Sequence, residues 1–408
     1  MRTKVLFVAE AVTLSHVVRP WILASSLPAD DFEVLFASSA YYAVCPIPET
    51  WQALDLVSIS PQTFMQRLAS GQPVYTETNL REYVNADLAM LAAHRPQVVV
   101  GDFRLSMAVA ARLLGIPFMA IVNAHWSPFV TQRTMSAPDL PIAKWVGFSV
   151  LDRVFRLVWP LASKVHCRSI NRIRSERGMA PYRSLAEYYC DADWVMYADP
   201  PSLASVSDLP SNHRFIGPVV WSPSMDLPAW WGELSRVAEP IAYINLGSTG
   251  SVELLPEIVK TCMAEGYVCL VASAGRMSIE RLPEGVYAAE FLPGTEAAAL
   301  ADVTICNGGA TATQQALAVA CPVVGICSNL DQVLTMEAVK RRELGVGFRA
   351  SEFSEAKLRH ELAQVRDSPG MSARLAALQA ECKKWNAAGE FRSMLLRAIN
   401  EREQIVRR

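Results

Sequence analysis

No uninterrupted apolar run of about 18 residues occurs in this 408-residue chain, so no segment reads as a membrane-spanning helix. An excess of one charge is missing as well. Thirty-eight Lys and Arg stand against 40 Asp and Glu without a long basic block, which sets nucleic acid aside as a partner. The nine cysteines form no Cys-x-x-Cys pair and no ligand-like cluster with histidine. In a chain of this size they read as free thiols of a reducing compartment, and a cytoplasmic protein is expected. No secretion signal is expected either: Arg2 and Lys4 border Val5–Ala9, which is too short for a signal core and suits a first β-strand. No Gly-x-Gly-x-x-Gly follows that strand, which argues against a nicotinamide dehydrogenase. No internal repeat or low-complexity segment is present.

What the chain does hold is apolar material, 51% of its residues, over a length that exceeds a single core. Strands are expected at Lys4–Ala9, Phe32–Ala37, Val98–Gly101 and Pro117–Val122, with helices at Val17–Ser26 and Met107–Leu114. After a proline- and tryptophan-rich stretch, IGPVVWSPSMDLPAWW, a second series begins. Its strands are expected at Ala242–Leu246, Val268–Ala272, Val286–Glu290, Val303–Cys306 and Val323–Ile326, and the chain beyond Phe353 reads as mostly helical. Alternation of this kind implies parallel sheets covered on both faces. The resulting division is 1–217 for a first α/β domain, 218–238 for a linker, 239–385 for a second α/β domain and 386–408 for a terminal helix. Trp145–Val165, which carries Asp152, Arg153, Arg156 and Lys164, reads as an amphipathic helix. A core-facing role is expected for it, with lipid or a greasy acceptor as the lesser alternative.

The most informative stretch is Phe291–Gln332, FLPGTEAAALADVTICNGGATATQQALAVACPVVGICSNLDQ. A short β-branched strand ends at Asn307-Gly308-Gly309, and the residues from Thr311 to Val319 favour a helix that Pro322 stops. A helix opening just after two glycines presents unpaired N–H groups and the positive end of its dipole, which suits a phosphate or diphosphate. Taken singly, a Gly-Gly turn or an Asp-Gln pair also fits an ordinary strand–helix–strand unit. Their ordered combination points to a ligand site.

This stretch resembles the donor-binding signature of the family 1 glycosyltransferases, the UDP-glycosyltransferase-like enzymes, of bacterial type. The matching residues are Phe291 and Pro293, Gly308 and Gly309, Thr313, Ala316 and Leu317, Pro322 and Asp331-Gln332. Asn307 stands where that family usually has a phosphate-contacting His, and Gln315 where it usually has a ribose-binding Glu. Both keep hydrogen-bonding capacity without charge. The resemblance implies the GT-B fold, an α/β architecture of two doubly wound Rossmann-like domains facing across a cleft, with the C-terminal helix crossing back to the first. It also implies a nucleotide diphosphate sugar as co-substrate, UDP ahead of dTDP, with no metal and no resident cofactor. Gly247, Ser248, Thr249, Asn307, Gly308, Gly309, Ala310 and Thr311 would line the diphosphate. Phe291 and Leu292 would bracket the base, Gln315 would reach the ribose, and Asp331 and Gln332 would face the sugar.

Transfer of a sugar to an alcohol needs a base for the acceptor proton and stabilisation of the departing diphosphate. His16, in the turn after the first strand, is the candidate base, since ligands of α/β sheets sit outside the carboxyl ends of strands. Asp102 ends another predicted strand, and the resemblance makes it the carboxylate that orients His16 and supports the imidazolium. Their bland roles are helix capping. His125 and Trp126 follow a further strand end and are candidates for the acceptor side, with a structural role weighed equally for His125. The expected function is therefore inverting, metal-independent transfer of a hexose to a hydroxyl of a small apolar acceptor, lipid-like ones and peripheral membrane contact included. A non-catalytic nucleotide-sugar binder or auxiliary protein, and a GT-B-shaped UDP-sugar epimerase, are the alternatives.

Overall fold

The computed structural model describes residues 2–131, 135–222, 225–274 and 282–407, with backbone alone for 144 and 402–407. The chain divides into two compact units. Unit 1 takes residues 1–133, 157–219 and 385–408, and unit 2 takes 134–156 and 220–384. Segment 134–156 was read with the first domain; it clusters with unit 2 because Arg349 Nη2 binds Asp152 Oδ1 at 2.6 Å and the Ala137 carbonyl at 3.2 Å.

Unit 1 is built on seven parallel strands: β1 (Thr3–Ala9), β2 (Phe32–Ser38), β3 (Gln52–Asp55), β4 (Val98–Asp102), β5 (Phe118–Val122), β6 (Trp194–Tyr197) and β7 (His213–Phe215). Their order in the sheet is β3-β2-β1-β4-β5-β6-β7. β1 illustrates why the central strands form: Val5 to Ala9 are wholly buried, and bulky residues fill both faces. Leu6 and Val8 pack with Leu35, Ala37 and Val99. Phe7, on the opposite face, meets Phe36 and Phe391 at ring distances of 6.5 and 5.9 Å. Phe391 belongs to the helix Ala387–Arg407, so the end of the chain returns to complete the first core. Where the chain leaves unit 1, Gly217 has φ +82°, and a Cβ there would lie 2.4 Å from Trp385 Cβ, so only glycine fits.

Unit 2 carries six parallel strands: β8 (Ile241–Asn245), β9 (Val268–Ala272), β10 (Val286–Ala289), β11 (Val303–Cys306), β12 (Val323–Cys327) and β13 (Gly345–Arg349). They lie in the order β10-β9-β8-β11-β12-β13. The fold is thus α/β with two Rossmann-like sheets.

Each sheet reverses its direction of growth once, between β1 and β4 in unit 1 and between β8 and β11 in unit 2. The crevice outside the carboxyl ends of the strands at such a reversal is where α/β sheets take their ligands. All nine cysteines are free and eight are buried. Among the described residues no helix is long and apolar enough to cross a membrane.

Candidate functional site

At the reversal of unit 1, Ala9 of β1 and Asp102 of β4 are register partners. The chain after β1 turns into the helix Ser15–Ser25, which sets His16 over the end of β4. Asp102 is 1% exposed and accepts a 2.8 Å hydrogen bond from the His16 ring at Nδ1, His16 itself being 18% exposed. His16 and Asp102 are therefore brought together, and His16 Nε2 has no partner among the described residues. One turn along the same helix, Arg19 donates from Nε to Asp102 Oδ2 and from Nη2 to Asp102 Oδ1, both at 2.8 Å. A fork of this kind fixes the plane of a carboxylate as well as its position.

The network continues inward. Arg19 Nη1 donates to Asn123 Oδ1 at 2.7 Å, Asn123 Nδ2 donates to Asp199 Oδ1 at 3.1 Å, and the Ala124 N–H donates to Asp199 Oδ2 at 2.6 Å. Burial pushes the Asp199 carboxyl above its ordinary range, against the attraction of His125. His125 is thus part of the electrostatics around this chain of groups, and its ring lies 5.7 Å from Trp126.

The turn after β4 is held from below. Phe103 has φ +59°, a left-handed conformation that a bulky residue adopts only when its neighbours hold it there. Arg104 supplies the anchor. Fully buried, it bonds Asp87 Oδ1 at 2.8 Å, Glu10 Oε2 at 2.9 Å and the Val57 carbonyl at 2.7 Å. With the turn so fixed, the Phe103 ring lies flat on His16, 4.7 Å away and 12° from parallel. Phe64 and Tyr189 meet Phe103 edge-on at 5.8 and 5.5 Å, and Trp126 meets Tyr189 at 4.7 Å. One side of His16 is thus walled by aromatic rings.

At the reversal of unit 2, Asn245 of β8 pairs with Cys306 of β11, so the loops after these strands are neighbours. Gly247 turns the first loop with φ +60°. Thr249 Oγ1 then accepts from Asn307 Nδ2 at 2.9 Å and from Gln332 Nε2 at 3.1 Å. Asn307 Oδ1 accepts from the Gly309 N–H at 2.9 Å. The amide standing in place of a histidine therefore ties the two loops together. Gly308 has φ +73°, and a Cβ there would lie 2.7 Å from Met336 Cγ and 2.8 Å from Cys327 Sγ. Gly309 stands at the N-cap of the helix Ala310–Ala318, in extended backbone and with no side-chain cap. Ala310 and Thr311, in its first turn, are half-buried.

The remaining residues expected from the sequence to meet the donor lie as follows. Ser248 is exposed, Phe291 and Asp331 are half-buried, and Leu292 is buried. Gln332 is 2% exposed, and its Oε1 accepts from the Ser328 and Asn329 N–H groups at 2.7 and 3.2 Å. Gln315 is 5% exposed and donates to the Trp221 carbonyl. Both glutamines are thus bound within unit 2.

No family model matches the chain. Among curated proteins, a PGL/p-HBAD biosynthesis rhamnosyltransferase of Mycobacterium bovis (strain BCG / Pasteur 1173P2) is 40% identical over 368 residues, 89% of this chain and 81% of the relative. A PGL/p-HBAD biosynthesis glycosyltransferase of Mycobacterium tuberculosis (strain ATCC 25177 / H37Ra) is 38% identical over 365 residues, 89% of this chain and 85% of the relative. The chain belongs to this family of glycosyltransferases. Its fold is GT-B: a spinosyn rhamnosyltransferase solved with thymidine diphosphate superposes with a TM-score of 0.65 at 19% identity, covering 97% of this chain and all of the other. Sugar transfer from a nucleotide sugar is what these proteins share, and this glycosyltransferase takes part in the same chemistry.

Sequence reasoning named the histidine and carboxylate of this glycosyltransferase but not Arg19, Asn123 or Asp199. Arg19 carried a usable signal, since it lies three residues after His16 on one helix and so on the same face. Asn123 and Asp199 each follow a strand, β5 and β6, and β6 is too short to stand out in the sequence.

Proposed function

We propose that the enzyme is an inverting, metal-independent glycosyltransferase. It moves a deoxyhexose of the rhamnose type from a thymidine diphosphate donor to a hydroxyl on an aromatic or otherwise apolar acceptor. The observation that carries this reading is the His16–Asp102 contact, with Nδ1 bonded at 2.8 Å and Nε2 left for an acceptor. Asp102 holds the Nδ1–H tautomer, so Nε2 takes the hydroxyl proton as the oxygen attacks the anomeric carbon. The bond from that carbon to the diphosphate oxygen breaks, and its electron pair leaves on the diphosphate. The first turn after Gly309 faces that charge with backbone N–H groups and the helix dipole. Attack opposite the leaving group inverts the anomeric centre.

Thymidine is placed ahead of uridine, the reverse of the order drawn from the sequence. One relative is named a rhamnosyltransferase, and another rhamnosyltransferase of the same fold was solved with thymidine diphosphate. The aromatic wall beside His16 favours an acceptor with a flat apolar body. Asn307, Gln332 and Thr249 act on the donor by holding the two loops in register. The deciding experiment titrates the protein calorimetrically with thymidine and uridine diphosphates in the presence of EDTA. It then follows transfer from dTDP-rhamnose to a panel of phenols and alkyl alcohols, with the anomeric configuration of the product read by NMR. His16→Ala should lower turnover by about 10²- to 10⁴-fold at unchanged nucleotide affinity. Retention of configuration, or His16→Ala turning over like wild type, overturns the mechanism.

A further inference from the structure

The helix Phe148–His166 has two faces of different character. Its inward face carries Phe148, Leu151 and Phe155, which pack with Ala137, Leu140 and Ala143. The face turned to solvent is not polar. Val150, Val154, Leu157, Val158 and Leu161 are 50, 47, 82, 45 and 64% exposed, and at about 100° per residue they fall within one stripe of the helix. The short turn before the helix adds Trp145 at 88% and Ile142 at 53%. Scattered exposed apolar residues are ordinary, but a continuous stripe of this length is not.

The charges of the helix are sorted in the same way. Arg153, Arg156 and Lys164 are exposed, and helical spacing puts Arg153 and Lys164 directly beside the stripe. Asp152 is the sole acidic residue of the helix. It is turned inward, where its Oδ1 accepts from Arg349 Nη2 at 2.6 Å and from the Ala137 N–H at 2.8 Å. The outer face is therefore apolar along its centre and basic at its edge, with no carboxylate of its own. Such a face complements an anionic lipid surface: aliphatic side chains enter the headgroup boundary, the cations meet lipid phosphates, and an exposed tryptophan suits the interface.

We infer that this helix docks the enzyme reversibly on an anionic bilayer, lying in the plane of the interface through Trp145, Val154, Leu157 and Leu161, with Arg153 and Lys164 against the headgroups. The helix spans nothing, and the inference stands apart from the sugar-transfer chemistry. It explains why a helix with an inward core face keeps a second apolar face in water.

The test is flotation of the full chain with vesicles of pure phosphatidylcholine and with vesicles containing 30% phosphatidylglycerol, about that share being enough to give a strong negative surface. The enzyme should float with the anionic vesicles and be released by salt. Each of Arg153→Glu and Lys164→Glu should weaken partitioning at least about fivefold. Leu157→Asp with Leu161→Asp should weaken it at least about 100-fold. Both positions are exposed, so the fold and turnover of a water-soluble acceptor should stay at wild-type level. No flotation with anionic vesicles overturns the inference, as does equal flotation of the double Asp variant. If sedimentation shows a dimer that the double Asp variant abolishes, and no lipid binding, the face belongs to a second copy of the chain instead.

Discussion

Asp102→Asn separates the chemistry from the architecture, because the substitution preserves shape and removes only charge and one acceptor site. In the native protein Oδ1 receives the His16 and Arg19 Nη2 donors, and Oδ2 receives Arg19 Nε. An amide cannot serve both positions. If its NH2 takes the Oδ2 place, it faces the Arg19 Nε–H, donor against donor. If it takes the Oδ1 place, it faces Nη2, and His16 Nδ1 must give up its proton, which moves the ring to the tautomer that cannot act as base at Nε2. In either arrangement Arg19, 6% exposed, loses the carboxylate that takes its Nε and Nη2 donors. Breaking a buried pair in this way costs about 3–5 kcal/mol of stability. Loss of the aligned base costs about 10²- to 10⁴-fold in turnover. The assay pairs urea unfolding with initial rates of sugar transfer, measured where the variant remains folded, and with calorimetric titration of thymidine diphosphate. Nucleotide affinity should hold, since the loops proposed to hold the donor lie in unit 2. Turnover close to wild type from a folded variant would refute the dyad.

Further outcomes follow from other residues. Gly308→Ala should destabilise unit 2, by about 1–2 kcal/mol for the left-handed backbone and about 1–3 kcal/mol for the clash with Met336 and Cys327, as read by urea unfolding. Thr249→Val leaves the Asn307 and Gln332 amides without their shared acceptor, at about 1–3 kcal/mol each, and should weaken thymidine diphosphate binding in calorimetry. Arg104→Met leaves Asp87 and Glu10 buried without their cation and should cost about 3–5 kcal/mol in the same unfolding assay. Burial holds His213 neutral, its pKa down from 6.5 to about 4. The unfolded chain therefore takes up this proton first as pH falls, and stability should drop between pH 6.5 and 4. His213→Gln should flatten that part of the stability curve.

The parts legible in the sequence were those with strong local signals. Strands such as β1 and β11 announce themselves by buried apolar runs, Val5–Ala9 and Val-Thr-Ile-Cys, and Asn307-Gly308-Gly309 marks a loop whose backbone only glycine accepts at 308. The strands that escaped notice are short or poorly patterned. β3 is Gln-Ala-Leu-Asp at an edge, β7 is three residues long, and β13 is interrupted by Gly347. The buried polar network escaped for a different reason. Arg19, Asn123 and Asp199 are polar residues that the linear pattern assigns to surface or loop, and only the sheet order brings them under Asp102. From the sequence, Asn307 and Gln315 read as uncharged stand-ins for a phosphate contact and a ribose contact. The fold shows what their amides do: one ties two loops and the other binds the Trp221 carbonyl.

The return of the last helix to unit 1 sets an order on synthesis. Phe391, Met394, Leu395 and Ala398 are at most 2% exposed, and Phe391 meets Phe7, near the start of the chain. A growing polypeptide therefore makes the thirteen strands of the described residues, and the whole of unit 2, before it can close the core of unit 1. On the ribosome the later-encoded unit is free to fold first, while the first sheet waits with an apolar face open until the helix Ala387–Arg407 emerges. A stop codon just past Lys384 would spare unit 2 and leave the unit that carries His16 without its lid of core, a product for chaperones and proteases rather than a slower enzyme.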